Sequence, residues 1–175
     1  MGKDFNKYRR NGDYHWRWYD EKSRYKTHVD RIVAWIKEKN VLDIGAGDGL
    51  ITSKIGAIGI DNELDGVKIA REKGVNVILA DAYDLPFDNE HFESAFMGDT
   101  LEHLEFPQEA VKEARRVISM FLYLAVPTKQ KWKDELQFED WTEQELVDMV
   151  EKQGFKLEGK IESTRTLMYA KFHKI

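Results

Sequence analysis

The sequence predicts a doubly wound α/β fold, with a mostly parallel sheet and helices on both of its faces. From residue 41 onward, short apolar runs alternate with segments whose apolar residues recur at helical spacing. A glycine-rich segment, 45–49, follows the first apolar run, where a strand–helix unit places its ligand-binding turn. We therefore expect a ligand site beyond the carboxyl ends of the strands.

Each element has its own local signal. Thr142, with Glu145 three residues later, predicts a capping box at a helix start, and Gly154 predicts its end. Two final β-rich runs, separated by polar residues, predict a closing hairpin with an antiparallel edge strand. The expected strands are 41–44, 57–60, 75–80, 92–97, 120–126, 155–162 and 166–172. The expected helices are 51–55, 63–73, 108–118 and 142–153.

Length and composition limit the class of protein. A chain of 175 residues that is 42% hydrophobic predicts one domain with a sizeable core. The absence of cysteine excludes disulfides, zinc–thiolate sites and cysteine nucleophiles. No apolar run approaches the roughly 20 residues of a membrane span, and the polar N-terminus is unlike a secretory signal. These features predict a cytoplasmic protein.

Charge divides the chain into a basic arm and an acidic body. Residues 1–40 hold 11 Lys/Arg and 6 Asp/Glu, whereas the remainder carries a net charge of −10. The arm is also rich in aromatic residues. We expect a helical N-terminal arm or cap, 1–40, that packs these rings on the core, 41–175, within one domain. The alternative is that the arm binds an anionic or nucleic-acid substrate, since bases stack on aromatic side chains.

The glycine loop lies in the stretch VLDIGAGDGL, residues 41–50. It lacks the G-x-x-x-x-G-K-[ST] pattern of loops that bind nucleoside triphosphates. Its G-x-G-x-G spacing also departs from the G-x-G-x-x-G fingerprint of dinucleotide-binding loops. Asp43 and Asp48 would repel a pyrophosphate, but they suit a ligand that carries a sulfonium and an ammonium group. The loop therefore favours S-adenosylmethionine over NAD, and an NAD-linked oxidoreductase remains the alternative.

Acidic residues follow the next three strands. Asp61 can accept hydrogen bonds from both hydroxyls of a ribose, which NAD and S-adenosylmethionine share. Asp81, beside the backbone amide of Ala82, can recognise the amine and a ring nitrogen of adenine. Asp99 follows the fourth strand. Together these positions predict a site for an adenosine ligand.

Four motifs in order carry a resemblance to a known family. VLDIGAGDG, GIDNEL, LADAYDLPFDNEHFESAF and TLEHLEFPQEAVKEARRV resemble a class I S-adenosylmethionine-dependent methyltransferase of the small type-11 kind, over roughly residues 41–175. The resemblance implies a Rossmann-like, three-layer α/β/α fold with seven strands, the last inserted antiparallel. It also implies S-adenosylmethionine as methyl donor and S-adenosylhomocysteine as product.

The resemblance assigns roles to individual residues. Asp43 orders the loop and reaches toward the methionine amino group, and Asp61 binds the ribose. Asn62 flanks the adenine where the family usually has an apolar residue, which puts adenine stacking there in doubt. The other implied cofactor contacts are the loop backbone at Gly45, Ala46 and Gly47, the adenine contacts Asp81, Ala82 and Leu85, the backbone at Asp99, and Tyr19 or Tyr25 closing over the methionine end.

The acceptor side is less defined. His103 follows the fourth strand and is the candidate general base or orienting donor, with a purely structural histidine as the alternative. Relatives that methylate RNA 2′-hydroxyls bind metal near this position. Here Glu102, His103 and Glu105 lack the further histidines, so we predict no metal.

Several acceptor classes are excluded by absence. No [DNS]-P-P-[YFW] motif follows the fourth strand, and no cysteine is present for pyrimidine C5 methylation. The acidic body argues against a broad nucleic-acid surface. We therefore predict a small-molecule, sugar or lipid-linked (glycan-like) acceptor, contacted by His15, Trp16, Trp18 and Trp132. The alternatives are RNA bound through the arm, and a binding module without catalysis.

Overall fold

A computed structural model describes residues 7–128 and 140–175. The chain forms two compact units, Met1–Asp81 and Ala82–Ile175. In both units, strands run beside helices as the sequence predicts. Among the described residues, no helix is both long enough and apolar enough to cross a bilayer.

The first unit contains a three-stranded parallel sheet in the order β3-β2-β1. Leu42 of β1 lies opposite Ile58 of β2, and Ile60 of β2 lies opposite Ile78 of β3. Because the strands are parallel, their carboxyl ends share one edge. The strands are β1 (Val41–Ile44), β2 (Ile58–Asp61) and β3 (Val77–Leu79). The helices are α1 (Lys7–Asn11), α2 (Tyr14–Glu21), α3 (Ser23–Trp35), α4 (Leu50–Ile55) and α5 (Leu64–Glu72).

The second unit contains a mixed sheet in the order β4-β5-β8-β6. β4 and β5 are parallel, whereas β8 pairs antiparallel with β5, β6 and the short β7. Its strands are β4 (Phe92–Gly98), β5 (Ile118–Pro127), β6 (Phe155–Leu157), β7 (Glu162–Ser163) and β8 (Leu167–Lys174). Its helices are α6 (Pro107–Val117) and α7 (Glu143–Glu151), and a 3₁₀ turn covers Leu101–His103.

The start of α7 has the predicted capping box. The Thr142 hydroxyl accepts a hydrogen bond from the Glu145 backbone N–H, and the Glu145 carboxylate accepts one from the Thr142 N–H at 2.8 Å. Both bonds satisfy donors that a helix start leaves without partners. Gly154 follows the helix with a left-handed φ of 84°. The start signal is therefore confirmed, whereas the helix ends at Glu151 with Lys152 as its C-cap, earlier than the predicted end at Gly154.

The predicted fold class is confirmed: parallel strands are flanked by helices, and the C-terminal strands are antiparallel. Several element bounds differ from the sequence prediction: β3 is shorter than 75–80, and β6 is shorter than 155–162. The closing hairpin includes an additional two-residue strand, β7, and β5 begins at Ile118 rather than at Met120. The arm contains three helices among its described residues. The boundary between a 1–40 arm and a 41–175 core stays a prediction.

Candidate cofactor site

The glycine loop joins β1 to α4 through left-handed backbone. Gly47 has φ 54° and Gly49 has φ 77°, which side chains other than glycine rarely adopt. A Cβ at Gly49 would also lie 2.8 Å from the Ala70 Cβ. The Gly45 and Ala46 N–H groups both donate to the Ile60 carbonyl at 2.9 Å, which fixes the loop against β2. The glycine spacing is therefore a geometric requirement of this turn.

Asp61, at the end of β2, connects two turns. One carboxylate oxygen accepts from the Gly47 N–H at 2.8 Å, and the other accepts from the Glu63 N–H at 2.7 Å. Burial raises the pKa of Asp61, and hydrogen bonds from the backbone of Glu63, Gly47 and Asn62 act in the opposite direction. Asn62 beside it is exposed. The predicted ribose acceptor thus also holds the glycine loop to the start of α5.

Asp43 lies inside β1 and is only 2% exposed. Its carboxylate accepts a 2.6 Å hydrogen bond from the Thr52 hydroxyl, which ties β1 to α4 beneath the loop. Burial is the main cause that raises the pKa of Asp43 to about 7, and the nearby Asp61 charge adds to the effect. The contact to Thr52 gives Asp43 a direct way to order the loop.

The turns around the loop bring several carboxylates together. Burial raises the pKa of Glu63 to about 7, and the charges of Asp61 and Asp65 contribute in the same direction. Asp48 is fully buried within the loop. Carboxylates with raised pKa values bind a cation more readily than an anion, because a positive charge stabilises their ionised form. The site therefore suits a ligand with a sulfonium and an ammonium group.

Asp48 fastens α2 to the loop. Its carboxylate accepts from the His15 N–H at 3.1 Å and lies 3.2 Å from His15 Nδ1, while its carbonyl accepts from Trp16 Nε1 at 2.9 Å. Trp16 also packs against Val67 and its neighbours in the first unit's core. His15 and Trp16 therefore have structural partners at the loop, and their predicted acceptor contacts stay predictions.

The remaining predicted arm residues fall into two groups. Tyr25 stacks on His15 with ring centroids 5.7 Å apart, and Trp18 lies edge-on to both Tyr25 and His15. Tyr19 lies elsewhere: its hydroxyl donates to Asp30 at 3.0 Å, and Lys54 lies over its ring. Tyr25 stacks on His15, which in turn contacts Asp48 of the loop. The contacts described for Tyr19 are with Asp30 and Lys54, which lie outside the loop.

Tyr8, on α1, is the residue of this region that sequence reasoning missed. A Cβ at Gly47 would lie 1.8 Å from the Tyr8 hydroxyl oxygen, and one at Gly66 would lie 2.9 Å from Tyr8 Cδ2. The Tyr8 N–H donates to the Glu63 carboxylate at 3.3 Å. Gly66 was the available signal, because a glycine within a helix often marks a close approach by another group.

In the second unit, α6 holds the segment that follows Ala82. The Leu85 N–H donates to Glu113 at 2.9 Å, and Arg116 donates to the carbonyls of Leu85 and Phe87 at 2.9 and 2.7 Å. A salt bridge of 2.6 Å joins Arg116 to Glu113, and its hydrogen bonds lower the pKa of Glu113. The predicted adenine contacts Ala82 and Leu85 therefore lie on a braced segment, whereas Asp81 is exposed at the end of the first unit.

The turn after β4 has an unusual backbone. Asp99 adopts a left-handed φ of 48°, and its N–H donates to the Ala125 carbonyl at 2.8 Å. Aspartate tolerates this conformation better than most residues, and such turns occur often at functional sites. His103 is half-buried in the following 3₁₀ turn, with Nε2 3.8 Å from a Glu102 carboxylate oxygen. Trp132 lies outside the described residues.

Comparison with known proteins agrees with the resemblance seen in the sequence. A family model described as a methyltransferase domain, Methyltransf_11, matches residues 42–120. This match supports a class I S-adenosylmethionine-dependent methyltransferase of the type-11 family. The match includes the glycine loop and the acidic strand ends. The resemblance seen in the sequence is confirmed, and S-adenosylmethionine is the cofactor, as in solved neighbours that contain it or S-adenosylhomocysteine.

This methyltransferase aligns with different shares of its relatives' lengths. An uncharacterized protein of Methanocaldococcus jannaschii is 29% identical over 179 residues, which cover 93% of this chain and 84% of that protein. A 2-methyl-6-phytyl-1,4-hydroquinone methyltransferase of Oryza sativa is 30% identical over 135 residues, which cover 66% of this chain and 41% of that enzyme. The chain therefore spans less than half of the rice enzyme's length.

Solved structures show the same fold. A S-adenosylmethionine-dependent methyltransferase of Thermotoga maritima, described as a possible histamine N-methyltransferase, aligns with a TM-score of 0.78 and 22% identity. The alignment covers 96% of this methyltransferase and 98% of the Thermotoga protein. At this level of identity, the likeness shows the fold and leaves the acceptor open.

Asp43→Asn tests the cost of the buried carboxylate. The folded-state pKa of about 7 lies above the ordinary aspartate pKa of 3.8, so Asp43 lowers the free energy of unfolding as pH rises from about 4 to 7. We expect wild-type stability to fall relative to Asp43→Asn by on the order of 3 kcal/mol across this range. Urea unfolding at each pH measures it. Asp20→Asn, at an exposed position, is the control, and parallel pH profiles for wild type and Asp43→Asn would contradict the assignment.

Arg116→Ala tests the brace on α6. The change removes the Arg116 donor from the Phe87 carbonyl and from the Leu85 carbonyl, which keeps the Phe87 N–H, and it removes the cation paired with Glu113. We therefore expect a loss of about 1–3 kcal/mol in the free energy of unfolding. Lys112→Ala removes an exposed cation from the same helix and should change stability by less than about 0.5 kcal/mol. Equal effects of the two substitutions would contradict the brace.

Proposed function

We propose that this methyltransferase acts on a small-molecule, sugar or lipid-linked acceptor. The acceptor class rests on the rice relative, whose name specifies a prenylated hydroquinone, and on the acidic body of this chain. Half-buried aromatic side chains of α2 and α3, Tyr14, Trp18 and Tyr25, present ring faces that suit such an acceptor.

The proposed cofactor site uses the acidic turns. Asp61 binds the ribose hydroxyls through its carboxylate, which also accepts from the Gly47 and Glu63 N–H groups. The Gly45–Gly47 backbone and Asp43 serve the methionine end, and the segment that begins at Asp81 and Ala82 serves the adenine. The observation that supports this proposal is the direct hydrogen bond from the Gly47 N–H to the Asp61 carboxylate, which brings that carboxylate beside the glycine backbone.

When bound, the cofactor supplies a methyl group on a positively charged sulfur, which leaves as a neutral thioether after in-line attack by the acceptor. The chain's contribution is position and electrostatics. The ionised carboxylates favour the cationic donor over its neutral product. His103 takes the acceptor's proton or orients the attacking atom, from its place in the turn after β4.

RNA is the second candidate acceptor, because the first 40 residues carry an excess of basic side chains. Several of these cations already have neighbours. Arg17 pairs with Asp13 at 3.6 Å, and Lys22 lies 3.8 Å over the Trp18 ring. These contacts reduce the charge available to phosphates, so we favour the small acceptor.

A screen of acceptor classes tests the proposed function. The purified chain is incubated with S-adenosylmethionine and hydroquinones, phenols, amines, sugars, lipid-linked glycans or an RNA pool, and released S-adenosylhomocysteine is measured. Turnover with a small or lipid-linked acceptor supports the proposal. Turnover with RNA alone, with affinity that falls steeply as salt rises, would establish the alternative. Cofactor binding without turnover in any class would favour a non-catalytic module.

Asp61→Ala tests the ribose assignment. The loss of charge-assisted hydrogen bonds to two hydroxyls should raise the Kd for S-adenosylhomocysteine by roughly 10- to 100-fold, as measured by calorimetry. Asp65→Ala, on the neighbouring α5, should leave the Kd within about twofold. Because Asp61 also holds two backbone turns, thermal unfolding of each variant is recorded. A folded Asp61→Ala variant with an unchanged Kd for S-adenosylhomocysteine would contradict the assignment of Asp61 as the ribose acceptor.

His103→Gln tests the general base once the screen has provided an acceptor. A positioned base contributes roughly 10²- to 10⁴-fold, so we expect kcat to fall by at least about tenfold while the Kd for S-adenosylhomocysteine stays unchanged. Single-turnover kinetics over a range of pH provide the measurement. A rate within twofold of wild type at every pH would assign His103 a structural role only.

A further inference from the structure

Asp48 and His15 form a carboxylate–imidazole pair at the glycine loop. Asp48 is fully buried, and its carboxylate lies 3.2 Å from His15 Nδ1 while it also accepts from the His15 backbone N–H at 3.1 Å. Because both bonds join one residue to one carboxylate, they fix the orientation of the ring as well as its position. A carboxylate beside Nδ1 favours the neutral tautomer that carries its proton there, which leaves the lone pair on Nε2.

The His15 ring extends from the buried carboxylate toward solvent. Among the residues that the structure describes, the hydrogen bonds of this ring involve Nδ1, with Asp48 and, at 3.5 Å, with the Tyr8 hydroxyl oxygen. The His15 side chain is 23% exposed, whereas that of Asp48 is 1% exposed. The ring packs on Tyr14, with centroids 4.0 Å apart, and stacks on Tyr25. The pair thus combines a buried carboxylate with a held, partly exposed imidazole.

The groups that face His15 are poorer proton acceptors than the imidazole. Burial raises the pKa of the Tyr8 and Tyr14 hydroxyls, so both phenols keep their protons at neutral pH. The Asp48 carboxylate is engaged by His15, and Asp61, whose pKa a charge on His15 lowers, holds two backbone turns. An imidazole can both take and return a proton near neutral pH.

The pair lies next to the part of the loop assigned to the methionine end of the cofactor. Asp48 directly follows Gly47 in the chain. The proposed acceptor contacts Trp18 and Tyr25 both touch the His15 ring, with centroids 5.8 and 5.7 Å from it. An aromatic acceptor that stacks on these rings would bring a hydroxyl on its own ring close to the imidazole. A neutral phenol is a weak nucleophile, so this acceptor needs a base.

We propose that His15 is the general base of the methyl transfer, that Asp48 positions it, and that the acceptor is a phenol-type hydroxyl. The proposal rests on the proposed function. His15 Nε2 takes the hydroxyl proton as the acceptor oxygen bonds to the methyl carbon, whose bond to sulfur breaks with its electron pair left on the neutral thioether. The imidazolium then releases the proton to water. Because a hydroxyl gives up one proton, His103 is left to orient the acceptor.

Phenols of graded acidity test the base. His15→Asn offers an amide N–H to Asp48 in place of Nδ1–H but removes the imidazole, so α2 keeps its anchor. With phenol and hydroquinone, which are protonated at neutral pH, we expect kcat to fall by at least about tenfold. With pentafluorophenol, which is already ionised, kcat should stay within about twofold of wild type. His173→Asn, on β8 with a 42% exposed side chain, is the matched control and should equal wild type with every phenol.

Nitrogen NMR of the histidine rings provides a readout that needs no acceptor. In a chain that carries isotope-labelled histidine, the ring signals lost in His15→Asn belong to His15. We expect neutral His15 to carry its proton on Nδ1 in wild type. Asp48→Asn, whose amide can donate to Nδ1, should shift the proton to Nε2. The same variant should lose kcat with phenol and regain it with pentafluorophenol, which a purely structural role of Asp48 would not produce.

Three results would overturn the assignment while the cofactor still binds. One is a kcat of His15→Asn that stays within twofold of wild type with phenol, or that falls equally with phenol and pentafluorophenol. Another is a neutral wild-type His15 with its proton on Nε2. The third is methylation of sugars or lipid-linked glycans without any phenol, which keeps the proposed function. Turnover in no class, or calorimetry that detects no binding of S-adenosylhomocysteine, would instead remove the proposed function and this assignment together.

Discussion

The site depends on two hydrogen bonds that the Asp61 carboxylate accepts from the backbone. By accepting the Gly47 and Glu63 N–H groups, one side chain fixes the glycine loop to the start of α5. Burial disfavours its charge, and the two charge-assisted bonds offset that cost. The loop that Asp61 fixes then presents Asp48 to α2, so the N-terminal helices are placed by a carboxylate far along the chain.

The N-terminal arm is therefore part of the site's construction. His15 and Trp16 bind Asp48, and the rings of Tyr14, Trp18 and Tyr25 pack around His15. This arrangement favours the interpretation in which the arm packs its aromatic residues on the loop that follows β1. Tyr14, Trp18 and Tyr25 remain half-buried in this packing.

The sequence could predict what depends on local patterns. The strand ends and their acidic residues followed from alternating apolar runs, because parallel strands gather their carboxyl ends at one edge, and the Thr142 capping box followed from spacing alone. The arm contacts could not be predicted. Tyr8 approaches Gly47 and Gly66 through tertiary packing, and nothing in the spacing of the aromatic residues distinguishes Tyr8 from Tyr19 or Tyr25. Similarly, the bonds from Arg116 to the 85–87 segment depend on how a loop folds back on α6.

Gly66 lies within α5, where alanine would favour the helix by up to about 1 kcal/mol. A methyl group there would meet the Tyr8 ring and the Gly47 carbonyl. Positions 8, 47 and 66 are thus coupled sterically, because the Tyr8 ring and the Gly47 carbonyl together occupy the space that a side chain at 66 would need. A larger residue at 66 therefore requires both the tyrosine and the glycine loop to move.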